Sequence, residues 1–88
     1  MKSLVKIPLV LPYAVVELTQ AQDAGCVDSL FFSIVDAENH ARYWSRKAEV
    51  PFIIVGQCGV LQLYVDGTLT KFDVDWFSDL IEVKWMVS

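Results

Sequence analysis

Val60-Leu-Gln-Leu-Tyr-Val65, then Asp66-Gly67, then Thr68-Leu-Thr-Lys-Phe-Asp-Val74 is the stretch on which the fold turns. Asp-Gly between two runs rich in β-branched and aromatic residues marks a hairpin with a two-residue type I′ turn. Both turn residues need positive φ, which Gly adopts freely and Asp tolerates. So short a turn fixes the register. Val65 is predicted to face Thr68, Leu63 to face Thr70 and Leu61 to face Phe72, giving one face with Leu61, Leu63 and Phe72 as its apolar centre. The other face sets Tyr64 against Leu69, Gln62 against Lys71 and Val60 against Asp73. Being half polar, it is expected to be solvated or to meet a partner.

Working back from the hairpin, Phe52-Ile-Ile-Val55 reads as a short apolar strand closed by Gly56. Gly56-Gln-Cys58-Gly59 then reads as a tight turn between strands. Residues 37–48 carry the helical pattern: Ala37, Ala41, Trp44 and Ala48 recur at helical spacing, with Glu38, Arg42, Arg46 and Lys47 elsewhere. Asp36 is the expected N-cap, and Pro51 bars extension much beyond Val50. Residues 29–35 are strand-like, with Leu30, Phe32 and Ile34 on one face. Residues 19–28 read as a loop, or as one helical turn ended by Gly25. Residues 4–11 alternate, Val5, Ile7, Leu9 and Leu11 sharing a face. Pro8 belongs at an edge or bulge, and after Pro12 residues 13–18 are expected to form a second strand. Beyond the hairpin, 75–79 suits a helical turn capped by Asp75. Residues 80–87 alternate again, with Ile81, Val83, Trp85 and Val87 on one face.

About six short strands and one central helix result, in a single domain spanning 1–88. The expected class is α+β: a small, mostly antiparallel sheet with the helix (37–48) packed on one face. The alternative is a small β-barrel with one helix across an end.

Composition adds a tension. The chain has 88 residues, of which 55% are hydrophobic, including three Trp, five Phe and three Tyr. A domain of this size buries only about 60–65% of the surface its unfolded chain exposes, so a second burial partner is expected for the surplus. The aromatic load argues against disorder. The apolar run Ile7 to Val16 has some likeness to a secretory signal, but Pro8 and Pro12 interrupt it and Glu17 follows directly, so it reads as structure. It is also short of the roughly 20 residues a membrane span needs, and no membrane partner is expected. Cys26 and Cys58 have no metal-ligand spacing. They are expected as two buried thiols in a reducing, cytoplasmic setting rather than as a disulfide.

Charge is distributed unevenly. The net charge is −4. Asp73, Asp75, Asp79 and Glu82 lie in one stretch with no Lys or Arg, and outside it seven acidic residues balance seven basic ones. The whole net charge therefore falls on residues 73–82. Such a stretch disfavours non-specific nucleic-acid binding, which needs Lys and Arg to displace counterions, and suits a basic protein surface.

Signals for chemistry are weak. His40 has only Asp36 at i, i−4 spacing and reads as an exposed residue of a capped helix. Asp73, Asp75 and Asp79 are too few, and lack the glycine, for a calcium loop. Cys58 beside its glycines is as well explained by the turn as by nucleophilic catalysis. No phosphate-cradling loop is present. No catalytic residue, metal site or cofactor is therefore expected, and the protein is not expected to be an enzyme. The helix carries Arg42, Tyr43, Trp44, Arg46 and Lys47, a basic and aromatic set of the kind that binds single strands, with Trp44 expected in the core.

Trp76, Phe77, Leu80 and Trp85 stand among the acidic residues, and large aromatics are common interface anchors. The expected function is a small acidic protein-binding module whose site comprises Asp73, Asp75, Trp76, Phe77, Asp79 and Glu82. Small acidic proteins without motifs are common among phage and mobile-element products that inhibit a host protein by binding it, an analogy of size and charge alone. The alternatives are a homo-oligomeric structural protein, a homodimer for instance, joined through the edges of 80–87 or 4–11, and a small ligand-binding or nucleic-acid-associated protein.

Overall fold

In the computed structural model, which describes residues 3–18, 26–73 and 81–86, seven strands and one helix follow one another. They are β1 (Ser3–Pro8), β2 (Tyr13–Glu17), β3 (Cys26–Phe31), α1 (Ile34–Lys47), β4 (Phe52–Gly56), β5 (Gly59–Val65), β6 (Thr68–Thr70) and β7 (Ile81–Met86). Of the loop expected at 19–28, residues 26–28 instead open β3, and residues 19–25 lie outside the described residues, as do the expected helical turn at 75–79 and the end residues Leu80 and Val87 of the expected final strand.

The hairpin closes as its turn dictates. Asp66 and Gly67 take φ of 51° and 77°. Val65 pairs with Thr68, Tyr64 with Leu69, and Leu63 with Thr70. Because β6 ends at Thr70, the three further pairs expected down to Asp73 are not part of the ladder.

The five strands β3-β2-β4-β5-β6 form one antiparallel sheet, and β1 and β7 pair in parallel as a separate two-stranded sheet. No closed barrel forms among the described residues. Every residue of β4 is buried, because the central sheet is covered on both faces. Phe52 and Ile54 join Val15 and Tyr64 against Ala37 and Ala41 of α1. Ile53 and Val55 join Ala14, Val16 and Leu63 against Val5 and Ile7 of β1, with Val83 and Trp85 of β7 packed alongside. The order is helix, five-stranded sheet, strand pair. Much of the hydrophobic fraction is thus covered within one chain, while large apolar side chains such as Val10, Phe32, Val35 and Leu69 stay exposed. Within the segments 4–11 and 80–87, expected as exposed edges, Ser3–Pro8 pairs with Ile81–Met86, Val5 opposite Val83 and Ile7 opposite Trp85, while Leu9, expected on the same face, lies beyond the strand and is 38% exposed.

The helix starts earlier than its charge pattern suggests. Its N-cap is Ser33, not Asp36: the Ser33 hydroxyl accepts the Val35 N–H at 3.2 Å. Asp36 sits inside the first turn, where it faces the positive end of the helix dipole. The strand expected at 29–35 is correspondingly displaced to Cys26–Phe31, and Phe32 is 79% exposed instead of sharing a buried face. The inward line is Ala37, Ala41 and Ser45. Small side chains at this spacing let the helix lie close to the sheet. Trp44, expected in the core, is 38% exposed, and Ala48 is exposed as the C-cap.

Ser45 is buried but fully satisfied. Its hydroxyl accepts the Gly67 N–H at 2.9 Å and donates to the Arg42 carbonyl at 3.3 Å, which ties the hairpin turn to the helix. A Cβ at 67 would also lie 2.9 Å from Nε of Arg46, so the guanidinium would have to shift to admit a side chain.

Two faces of β5 depart from simple alternation. A bulge places Gln62 opposite Ile54 and Val60 opposite Val55, leaving Leu61 as the extra residue. Val60 therefore turns to the same core as Leu63, while Leu61, expected at the apolar centre, is 41% exposed. Of the Tyr64 face, expected to be solvated or partner-bound, Tyr64 itself is fully buried under α1, whereas Leu69 and Lys71 are exposed.

Candidate functional site

Of the six residues expected to bind a partner, two are described. Asp73 follows β6 and Glu82 lies on β7, and both are exposed. Glu82 points away from the core because its neighbours Val83 and Trp85 point toward it. Asp75, Trp76, Phe77 and Asp79 lie outside the described residues.

The surface best defined by the structure is the outward face of α1. With Ala37, Ala41 and Ser45 turned inward, the 3.6-residue period turns Asn39, Arg42, Tyr43, Arg46 and Lys47 outward, and these five line an open groove of ≈ 500 Å3. Tyr43 is 55% exposed. Lys47 donates to its hydroxyl at 3.1 Å, and the Lys47 ammonium lies 5.5 Å and 5.6 Å from the Tyr43 and Trp44 ring centres. The two rings meet edge to face at 5.2 Å. The Arg42 guanidinium lies over the Tyr64 ring at 5.6 Å. Among the described residues, none of Arg42, Arg46 and Lys47 is ion-paired with a carboxylate. This basic and aromatic set is legible in the sequence, but its stripe is not. Trp44 is expected inward because the spacing Ala37-Ala41-Trp44 fits an inward stripe as well as Ala37-Ala41-Ser45 does.

A polar chain runs along the seam between helix and sheet. The Tyr64 hydroxyl donates to Oε1 of Gln62, and Nε2 of Gln62 donates to Glu38, each at 2.7 Å. Burial, reinforced by the Glu38 carboxylate and opposed by Arg42, raises the Tyr64 phenol above its ordinary 10.0. The arrangement holds the proton on Tyr64 and joins α1 to β5.

His40 is half-buried rather than exposed. Its Nε2 lies 3.4 Å from the Ser29 hydroxyl, and its ring packs between Phe31 and Trp44. Cys58 sits in the turn between β4 and β5 and is exposed as a free thiol, which corrects the expectation of burial. Cys26 lies on β3. No group of three or more His, Cys, Asp or Glu side chains is gathered for a metal among the described residues. No described helix is long and apolar enough to cross a membrane.

Compared with known proteins, the chain matches no family model, no curated protein and no solved structure.

Proposed function

We propose that this α+β protein is a non-enzymatic protein-binding module that engages a basic surface of its partner through the acidic stretch 73–82, and that it inhibits that partner by occupancy. Asp73, Asp75, Asp79 and Glu82 supply the charge, with Trp76 and Phe77 as anchors among them. The observation that carries the reading is the exposure of Asp73 and Glu82, the described residues at the two ends of the stretch that holds the entire net charge. Four carboxylates with no Lys or Arg in the same stretch of sequence suit an opposite, basic surface.

The test is affinity capture with the tagged full chain and with a variant carrying Asp73→Lys, Asp75→Lys and Asp79→Lys. The expected result is at least one protein held by the parent and lost with the variant, its retention falling as salt rises. Identical captured sets from parent and variant would refute the proposal.

A further inference from the structure

We infer that the outward face of α1 is a self-association surface, on which the acidic stretch 73–82 of a second copy docks. Three cations converge on one groove there, none ion-paired among the described residues. Tyr43 and Trp44 stand exposed beside them. Ordinary solvated helix faces mix charges of both signs, whereas the second half of this helix is basic without an acid. Placement near the helix C-terminus accounts for part of that bias through the dipole. It does not account for two exposed aromatic rings packed against Lys47.

The chain itself carries the complementary chemistry. Residues 73–82 contain four carboxylates, no cation, and Trp76 and Phe77 between them. Carboxylates match the guanidinium groups of Arg42 and Arg46 in charge and planar geometry. Aromatic rings match both the cations and the exposed rings of the helix face. A two-fold arrangement sets each acidic stretch on the other copy's helix, so one association neutralises both surfaces at once. A nucleic acid would engage only the helix face and would be repelled by the acidic stretch.

The docked stretch is the one proposed above to meet a foreign partner, so the two associations compete for it; sedimentation equilibrium on the purified full chain, with no partner present, tests self-association alone. The expected result is a monomer–dimer equilibrium whose dissociation constant rises at least about tenfold between about 50 and about 500 mM NaCl. Arg46→Glu with Lys47→Glu is expected to give a monomer, and so is Asp75→Lys with Asp79→Lys, each with the parent's circular dichroism. An equimolar mixture of the two variants is expected to dimerise again, because reversed helix meets reversed stretch. If charge reversal unfolds the chain, Arg46→Gln with Lys47→Gln replaces it and is expected to weaken the dimer. A parent that stays monomeric at every concentration overturns the inference, as does a dimer indifferent to the helix substitutions. A mixture that stays monomeric also overturns it. Labelled oligothymidylate or oligoglutamate binding to the helix face of a monomeric parent would assign the face to nucleic acid or to a foreign acidic protein instead.

Discussion

Tyr64 carries its hydroxyl into the seam between helix and sheet, where Gln62 accepts it and passes the connection to Glu38. In the sequence Tyr64 belongs to a face that alternates with Gln62 and reads as half polar. The polar atoms were correctly seen, but their partners lie on a helix 24 residues away in the chain, and no local pattern reports that. Since the folded phenol is held above 10.0, the unfolded chain loses this proton first as pH rises. The stabilisation is fully present below the unfolded value and is lost as pH climbs through the folded one. Tyr64→Phe is expected to cost about 1 kcal/mol near neutrality, through the lost hydrogen bond and the stranded Gln62 oxygen. It is also expected to flatten the decline of stability above about pH 10. Urea unfolding at neutral and alkaline pH measures both, and a variant as alkali-sensitive as the parent would contradict the assignment.

Among the elements, the hairpin and the helix show how far local signals reach. Asp66-Gly67 set turn type and register together, since a two-residue loop leaves no slack, and the three observed pairs are those expected. The helix was legible in kind but not in its start. Ile34 and Val35 are β-branched and favour strand locally, whereas the Ser33 hydroxyl caps the Val35 N–H and lets the helix begin there. Ser33→Ala is therefore expected to lower stability by about 1 kcal/mol. Asp36→Ala removes only a favourable charge in the first turn, at a cost of about 0.5 kcal/mol. Denaturant titration of the two variants checks the order, and a larger effect at Asp36 would return the cap to it. The bulge at Leu61 was not legible. It arises between β4 and β5, where Ile54 and Val55 meet Gln62 and Val60, and a single strand carries no record of its neighbour's count.

For the molecule as a whole, β4 is shared by two cores, as are β2 and β5. Ile53 faces the β1–β7 pair and Ile54 faces α1, and both are fully buried. Ile53→Ala and Ile54→Ala are each expected to cost about 2–5 kcal/mol, lost transfer energy plus the cavity left behind. Because one strand belongs to both layers, each variant is expected to unfold in a single urea transition followed by fluorescence and circular dichroism. Two separated transitions in either would show that the layers are independent. The candidate site divides in the same way. Charge segregation on 73–82 and the basic set on the helix were visible in the chain, while the outward position of Trp44 followed only from which stripe α1 turns to the sheet.

Turn type, alternation, helical period and charge balance concern residues near one another in the chain, and those features were readable from residue order alone. The covering of each face was not. Hydrophobic attraction is non-directional, so alternation groups like side chains without naming what they will bury against. It took folding to pair the first strand with the last, to lay α1 over Tyr64, and to cover a sheet apolar on both sides. Part of the hydrophobic fraction that composition sets against a second chain is, in this fold, the filling of two cores that share β2, β4 and β5.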